Sequence, residues 1–206
     1  MSNDSGIVRI PGFFRGKIVK VLTFTSDGLT IEKPLSFDPV IDIAAERIVA
    51  FRYGVNWVRG YKFPIGRQYL VEILDADNHI TRINLKSVYG IKRRVYGDIW
   101  RDIVNQLWSH YFHDKLTGYF NHYQNGEPFD LAGIEFSSFG FQLDNKGWLW
   151  DEFALSNYRT YFVVHNKTNL QKKRSFSFSN DWNALLLQSL LKAIVNDQKE
   201  KVENTI

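Results

Sequence analysis

The sequence contains no cysteine, and this absence excludes a disulfide framework, a thiolate metal site and a cysteine nucleophile. No apolar run approaches the ~18 residues that a membrane-spanning helix needs. Residues 1–6 are polar and lack the apolar core of a signal peptide. We therefore expect a soluble, cytoplasmic protein with no transmembrane segment and no cofactor.

Linear signatures of the common enzyme classes are also missing. The chain has no G-x-S-x-G nucleophile motif, no G-x-x-x-x-G-K-S/T phosphate loop and no G-x-G-x-x-G dinucleotide motif. Asp75 and Asp77 lie in a predicted hairpin turn, where short polar residues are favoured. An enzyme with a site dispersed along the chain is therefore the third and weakest functional hypothesis.

The composition is that of a folded protein with an uneven charge. Of the 206 residues, 44% are hydrophobic and 16% aromatic, enough for one large domain or two small ones. The net charge is +4, but 15 Lys+Arg stand against 9 Asp+Glu through Val95, and 11 against 13 afterwards. A basic first half permits contact with an anionic partner, although a solvated surface explains the excess equally well.

Two hydrophobic periodicities divide the first half of the chain. Spacing of two residues indicates β-strands, and spacing of three or four indicates one apolar helical face. The helix is predicted at residues 98–116, with Asp98 as its N-cap and Gly118 as its stop. The strands are predicted at residues 19–24, 29–31, 47–53, 55–63, 68–74 and 80–85.

The same pattern then recurs. Residues 22–31, LTFTSDGLTI, align with residues 134–143, IEFSSFGFQL, at an offset of 112, with Phe, Ser and Gly identical. Residues 46–50 resemble 151–155 at an offset of 105, and Tyr69 aligns with Tyr161 at an offset of 92. Self-similarity of this kind predicts a duplicated unit. Chance similarity between two β-rich segments is the alternative.

The repeat predicts two domains, each built of strands followed by a helix. The first covers residues 11–118 and the second, shorter one residues 126–195, with a final strand at 175–178 and a helix at 181–195. The boundary falls near residues 118–126. The polar or highly charged tails, 1–10 and 196–206, are expected to be flexible.

This arrangement resembles a tandem pair of bacterial pleckstrin-homology-like (PH-like) domains. The resemblance is carried by the turns at residues 24–28 and 136–140, the WLWDEF segment at 148–153 and the terminal helices. It implies a mainly β fold with α, in which each domain is a curved antiparallel sheet or open barrel closed by a C-terminal helix. It also implies binding or assembly and not catalysis.

In that family, inositol-phosphate binding uses several Lys and Arg around the first hairpin loop. In this sequence those loops are the turns at residues 25–28 and 137–140, which are short and carry no cation, so the inositol-phosphate interpretation is weakened. Lys17, Lys20 and Lys33 on the flanking strands keep an anion site open as an alternative.

The first half carries thirteen extra residues between Tyr53 and Tyr69, since the offset falls from 105 to 92. Aromatic side chains interleaved with cations are typical of partner-binding surfaces, and also suit a membrane interface or single-stranded nucleic acid, which is the least favoured. The alternative is an ordinary hairpin whose aromatic face is buried. The partner-binding candidates are Trp57, Arg59, Tyr61, Lys62, Phe63 and Arg67.

Two short basic runs are candidate anion sites, although three cations in a row are also typical of a solvated turn. The basic runs are Lys92, Arg93, Arg94 and Lys172, Lys173, Arg174.

Two histidines are weak metal candidates. His110 and His113 lie three residues apart on the predicted helix, but a third ligand is not evident, so we expect no metal.

Together these patterns favour a non-catalytic interaction or scaffolding module that binds a protein partner or a second copy of itself. A binder of anionic lipid or of a small anion through the basic first half is the alternative.

Overall fold

The computed structural model describes residues 6–13, 17–33, 40–169 and 171–203. The chain divides into two compact units, Met1–His113 and Asp114–Ile206. Within the described residues the fold is mainly β, with fourteen strands, all paired antiparallel.

The first unit contains two antiparallel meanders followed by a helix. The first sheet has the order β1-β2-β3-β4 and the second the order β5-β6-β7. A 3₁₀ turn, Ala45–Arg47, connects them, and a π-helical turn, Trp108–Phe112, follows the helix. The elements are β1 Gly6–Pro11, β2 Ile18–Phe24, β3 Gly28–Glu32, β4 Val40–Ala44, β5 Ile48–Arg59, β6 Pro64–Asp75, β7 Ile80–Val88 and α1 Arg93–Leu107.

The core of this unit lies between the two sheets and the helical segment. Alternate residues of β2 and β3 are buried. This is expected for a strand with one covered face, because successive side chains point to opposite faces of the sheet. Phe51 on β5 lies against Phe112 of the π-helical turn, with ring centroids 4.4 Å apart. Ile103 and Leu107 complete the buried face of α1. Each large buried side chain contributes about 1.5–3 kcal/mol.

The second unit has the same arrangement of two antiparallel meanders followed by a helix, and this arrangement begins after helix α2. Its sheets have the orders β8-β9-β10-β11 and β12-β13-β14. Each unit therefore comprises a four-stranded meander, a three-stranded meander and a terminal helix. The elements are α2 His113–Asn125, β8 Phe129–Leu131, β9 Ile134–Ser137, β10 Gly140–Leu143, β11 Lys146–Leu149, β12 Phe153–Asn157, β13 Tyr161–Asn166, β14 Lys173–Ser177 and α3 Ala184–Glu203.

The aligned turns at an offset of 112 occupy the same place in each unit, between the second and third strands of the four-stranded sheet. They also share a hydrogen bond. The Thr25 hydroxyl donates to the carbonyl of Gly28 at 3.1 Å, and the Ser137 hydroxyl to the carbonyl of Gly140 at 3.2 Å. The repeated Ser/Thr and Gly thus form the same local turn twice.

Both glycines are required by the strand that pairs beside them. A Cβ on Gly28 would lie 2.4 Å from the carbonyl oxygen of Ile43, and one on Gly140 would lie 1.8 Å from that of Trp148. Those carbonyls belong to the fourth strand of each sheet. Glycine recurs because any side chain would push this strand away.

The third aligned segment is one residue out of register. Tyr69 points into the core and is 5% exposed, whereas Tyr161 is 36% exposed and its neighbour Phe162 is fully buried. The predicted offset of 92 is therefore wrong, and 91 matches the buried faces of β6 and β13. A slip of one residue moves a strand's side chains to the opposite face.

The helix bounds also differ from the prediction. Helix α1 begins at Arg93, so the predicted N-cap Asp98 lies inside it and pairs with Arg101. Helical structure continues past Gly118 to Asn125. A helix tolerates an isolated glycine when packing on either side holds it, and Phe112 and Tyr123 are both buried. Helix α3 spans Ala184–Glu203, not 181–195.

Much of the two predicted flexible tails is ordered. Residues 6–10 lie in strand β1, where Val8 and Ile10 are buried in alternation, and residues 196–203 are the last turns of α3. The prediction is wrong there; residues 1–5 and 204–206 lie outside the described residues. The first hairpin loop is consequently the one between Pro11 and Ile18, and the turn at residues 25–28 is the second.

None of the helices in the described part of the chain has the length and apolar character needed to cross a membrane.

Replacing Gly140 with alanine should lower the free energy of unfolding by about 1–3 kcal/mol, because the added Cβ collides with the Trp148 carbonyl. Gly118→Ala is the matched control: its Cβ meets nothing within 4 Å, and alanine should stabilise this helix by about 0.5–1 kcal/mol. Urea unfolding monitored by circular dichroism measures both. Equal stability of the two variants would contradict the assigned strand pairing.

Candidate interaction surface

The extra residues of the first unit, fourteen and not the predicted thirteen, lengthen one hairpin. Strands β5 and β6 pair from Ile48↔Asp75 outward, a hairpin of 28 residues, whereas β12 and β13 pair from Phe153↔Asn166, a hairpin of 14. The sequence predicted a break near Gly54, but β5 runs through it without interruption. The extension is therefore a continuous β-ribbon formed by β5 and β6, with β7 paired alongside β6 as far as Gly66.

The end of this ribbon extends beyond its sheet. Strand β7 ends at Val88, which pairs with Gly66. A Cβ on Gly66 would lie 2.0 Å from the carbonyl of Ser87, so this close pairing needs glycine. Within the described chain, residues 59–65 pair with no third strand, and the last link is the Tyr89 amide donating to the carbonyl of Ile65 at 2.8 Å.

The aromatic side chains of the ribbon are exposed. Trp57 is 61% exposed, Tyr61 98% and Phe63 65%. Farther back on the same hairpin, Phe51 and Tyr69 are buried. The alternative of a buried aromatic face thus describes the base of the hairpin but not these three side chains near its end.

Cations accompany the exposed rings. Trp57 and Arg67 pair directly across the two strands, and the guanidinium carbon of Arg67 is 4.9 Å from the Trp57 ring centroid. The Lys62 ammonium is 5.8 Å from the Tyr61 ring. Cation–π contacts of this kind hold ring and charge on one surface. Arg59 is also exposed.

The connection from β7 to α1 adjoins the ribbon and was not among the predicted partner-binding residues. Tyr89, Ile91 and Val95 are exposed apolar side chains in this connection and in the first turn of α1. Arg93 and Arg94 are exposed, whereas the Lys92 ammonium donates to the carbonyl of Gly12. Sequence patterns did not indicate this neighbourhood because the two segments lie about twenty residues apart.

We call residues 57–67 and 89–95 together the basic aromatic surface. Residues 54–67 and 87–97 contain six cations and no Asp or Glu. Its positive charge is therefore not interrupted along either segment. The cations are Arg59, Lys62, Arg67, Lys92, Arg93 and Arg94.

The second basic run has a different environment. The Lys172 ammonium donates to the carbonyl of Gly147 at 2.6 Å and lies 4.5 Å from the Trp148 ring centroid. Arg174 forms an ion pair with Asp144. Lys173 alone of the three is exposed. Lys172 and Arg174 therefore contact the β10–β11 hairpin, and the three cations do not share one environment.

The two histidines have separate surroundings. His110 lies in the π-helical turn, where its Nε2 is 3.1 Å from the Gln106 side-chain oxygen and its ring stacks on Phe24. His113 is exposed. These two contacts explain the position of His110 by packing and hydrogen bonding within the fold.

Asp75, Asp77 and His79 lie close enough together to hold a metal ion. One carboxylate oxygen of Asp75 accepts the amide hydrogens of Asp77 and His79, both at 2.9 Å, and Asp77 forms an ion pair with Arg47. Such hydrogen bonds are those of an Asx turn. The cluster is explained by the β6–β7 turn that the sequence predicted.

A charged triad crosses the sheet at the base of the ribbon. The side chain of Glu72 is only 3% exposed and accepts hydrogen bonds from Arg52 at 2.6 Å and Arg82 at 2.5 Å. Arg52 and Arg82 are its direct neighbours on β5 and β7. Burial acts to raise the pKa of Glu72, but the hydrogen bonds and charges of the two arginines outweigh it and hold that pKa below its usual value.

A shallow pocket of about 560 Å³ lies on the four-stranded sheet of the second unit. Asp130 and Glu135 pair directly across β8 and β9 in its wall. The Ser137 hydroxyl in this pocket donates to the Gly140 carbonyl. The pocket lining comprises Pro128, Phe129, Asp130, Glu135, Phe136, Ser137 and Gln142.

Comparison with protein-family models, curated protein sequences and solved structures finds no significant match to this chain.

Substituting Trp57 or Tyr61 with alanine should change the free energy of unfolding by less than about 1 kcal/mol, because both side chains are mostly exposed. Phe51→Ala, on the same strand but fully buried, should cost about 3–5 kcal/mol. Chemical denaturation of the three variants gives the comparison. A loss above 2 kcal/mol for Tyr61→Ala would mean that the end of the hairpin is packed.

Glu72→Gln should destabilise the protein by about 1–3 kcal/mol at pH 7, since the charge-assisted hydrogen bonds from Arg52 and the more exposed Arg82 would be weakened. Because the folded-state pKa of Glu72 is lowered, its contribution is present above the ordinary carboxyl pKa and is lost as the pH falls through the folded-state value. Unfolding free energies between pH 7 and pH 3 should therefore fall less steeply for the variant than for the parent. Parallel curves would contradict the assignment.

Proposed function

We propose that this chain is a non-catalytic interaction module of tandem PH-like architecture that acts in the cytoplasm and binds its partner through the basic aromatic surface. The observation that carries the proposal is the exposure of Trp57, Tyr61 and Phe63 on a ribbon whose flanking charges are all positive. Exposed aromatic side chains with arginine are typical of binding hot spots.

The repeated plan supports the PH-like part of the proposal. A four-stranded meander, a three-stranded meander and a terminal helix occur in both units, and the corresponding turns share the same hydrogen bond. Small sheets closed by a helix present loops and hairpins at their ends, where binding residues are commonly found. The first unit differs from the second by the doubled hairpin, which lengthens the ribbon without adding to the buried core.

The contacts of Asp75 and His110 favour structural roles for these two residues. The Asp75 carboxylate is engaged by its own turn, and His110 is engaged by Gln106 and Phe24. Asp75 also lies 3.4 Å from Nδ1 of the exposed His79 ring, an ion-pair distance within the same turn. The basic aromatic surface, in contrast, combines exposed rings and cations that the fold itself does not bury.

Placing a photo-reactive benzoylphenylalanine at position 61 should yield covalent adducts on irradiation in cells that produce the full-length protein, because Tyr61 stands at the end of the ribbon. The same residue at Ile80, also exposed but at the opposite end of β7, is the control. Gel shifts detect protein adducts, and intact-mass spectrometry detects lipid adducts. Absence of adducts at position 61, or equal adducts at both positions, would reject the proposed surface.

A further inference from the structure

We infer that the basic aromatic surface docks onto an anionic phospholipid bilayer, with Tyr61 and Phe63 entering the headgroup region. This inference rests on the proposed function and names the partner class of that surface. Its three supports are the small hairpin end that has no third strand, the types of exposed side chain, and the cations that no acidic residue of the two segments accompanies.

The shape suits a bilayer better than a protein partner. The part of the ribbon that pairs with no third strand comprises only residues 59–65 of the described chain, in which Arg59 and Pro64 pair with each other. Each aromatic side chain can bury roughly 150–250 Å², so the two rings at the end of the ribbon, Tyr61 and Phe63, offer less than the ~800 Å² per partner of a standard protein interface. A bilayer needs no matching cavity, because headgroups and acyl chains move aside for an inserted ring.

The exposed residue types are those that membranes retain at the interface. Tyrosine and tryptophan combine an apolar ring with a polar group and concentrate at the headgroup level. Tyr61 and Phe63 stand at the end of the ribbon, and Trp57 lies behind them. Tyr89 lies beside them, because its backbone N–H donates a hydrogen bond to the carbonyl of Ile65. The same end of the first unit thus presents four exposed aromatic side chains.

The charge arrangement has an electrostatic cost that an anionic surface would offset. Arg93 and Arg94 occupy the first turn of α1, which contains no acidic residue and has no side-chain cap. Cations there face the positive end of the helix dipole and are unfavourable. Arg59 and Lys62 add two more exposed cations at the neighbouring ribbon. Anionic lipid provides negative charge to both segments at once.

The test uses the full-length protein and vesicles of phosphatidylcholine with 30% phosphatidylserine, compared with phosphatidylcholine alone. Binding is measured by flotation. We expect binding only to the anionic vesicles, with loss at high salt because exposed charges are then screened. Neutralising Arg59 and Lys62 in Arg59→Gln/Lys62→Gln should weaken binding roughly tenfold or more. Lys192→Gln/Lys199→Gln, which removes the same charge from exposed positions on α3, is the matched control and should bind as the parent does.

Insertion is measured independently. Because the chain has no cysteine, Tyr61→Cys carries a single environment-sensitive fluorophore, and Ile80→Cys provides the control position. The emission of the label at position 61 should shift to shorter wavelength with anionic vesicles, and the label at position 80 should not respond.

Three results would overturn the inference: no binding of the parent protein to anionic vesicles, equal weakening by the control charge variant, or an unchanged label at position 61. If any of these occurs while the cross-linker at position 61 still captures a protein, the surface binds a protein partner and the proposed function stands. If the cross-linker also gives no adduct, both proposals fail.

Discussion

The extent of helix α1 decides which part of the long hairpin is core and which part is surface. Side chains on one face of β5 are buried at Phe51, where the helical segment covers the sheet, and exposed at Trp57, where it does not. The Tyr69 hydroxyl donates to the carbonyl of Arg93, the first residue of α1, and so marks the edge of that cover. The side chains on this face of β5 therefore pass from buried to exposed along one strand, because the ribbon is longer than the helix that packs on it.

The rigidity of the exposed ribbon depends on what holds its base. Strand β6 is paired on both sides up to Gly66, and Glu72 joins it to β5 and β7 through two arginines. On the other face, the Trp100 indole donates to the carbonyl of Leu70. Hydrogen bonds on both faces of the central strand fix the direction of the ribbon. The backbone that carries the exposed rings is therefore already ordered, and binding does not have to bear the entropy cost of ordering it.

The two units share the same strand orders and differ in the length of one hairpin. In the second unit the equivalent hairpin ends at Tyr158 and Tyr161, whose rings stack on each other with centroids 4.5 Å apart. In the first unit the added residues form a ribbon with cations between its rings. Length added at the end of a hairpin leaves the paired base and the core unchanged, which is why such a position accepts new binding residues.

Local patterns were sufficient for the features that depend on neighbours in the sequence. Hydrophobic residues at every second position predicted most of the strands. The repeated Ser/Thr and Gly located the equivalent turns, because a turn's hydrogen bond and its glycine are local requirements. The interleaved rings and cations at residues 57–67 were also visible in the sequence. Strand β1, the register of β13, the Glu72 triad and the start of α1 were not, since each depends on which strand or helix packs alongside. Tertiary structure alone decided that Phe51 is buried and Trp57 exposed, and that Tyr89 and Arg93 join the ribbon, because burial and proximity are properties of the packed chain.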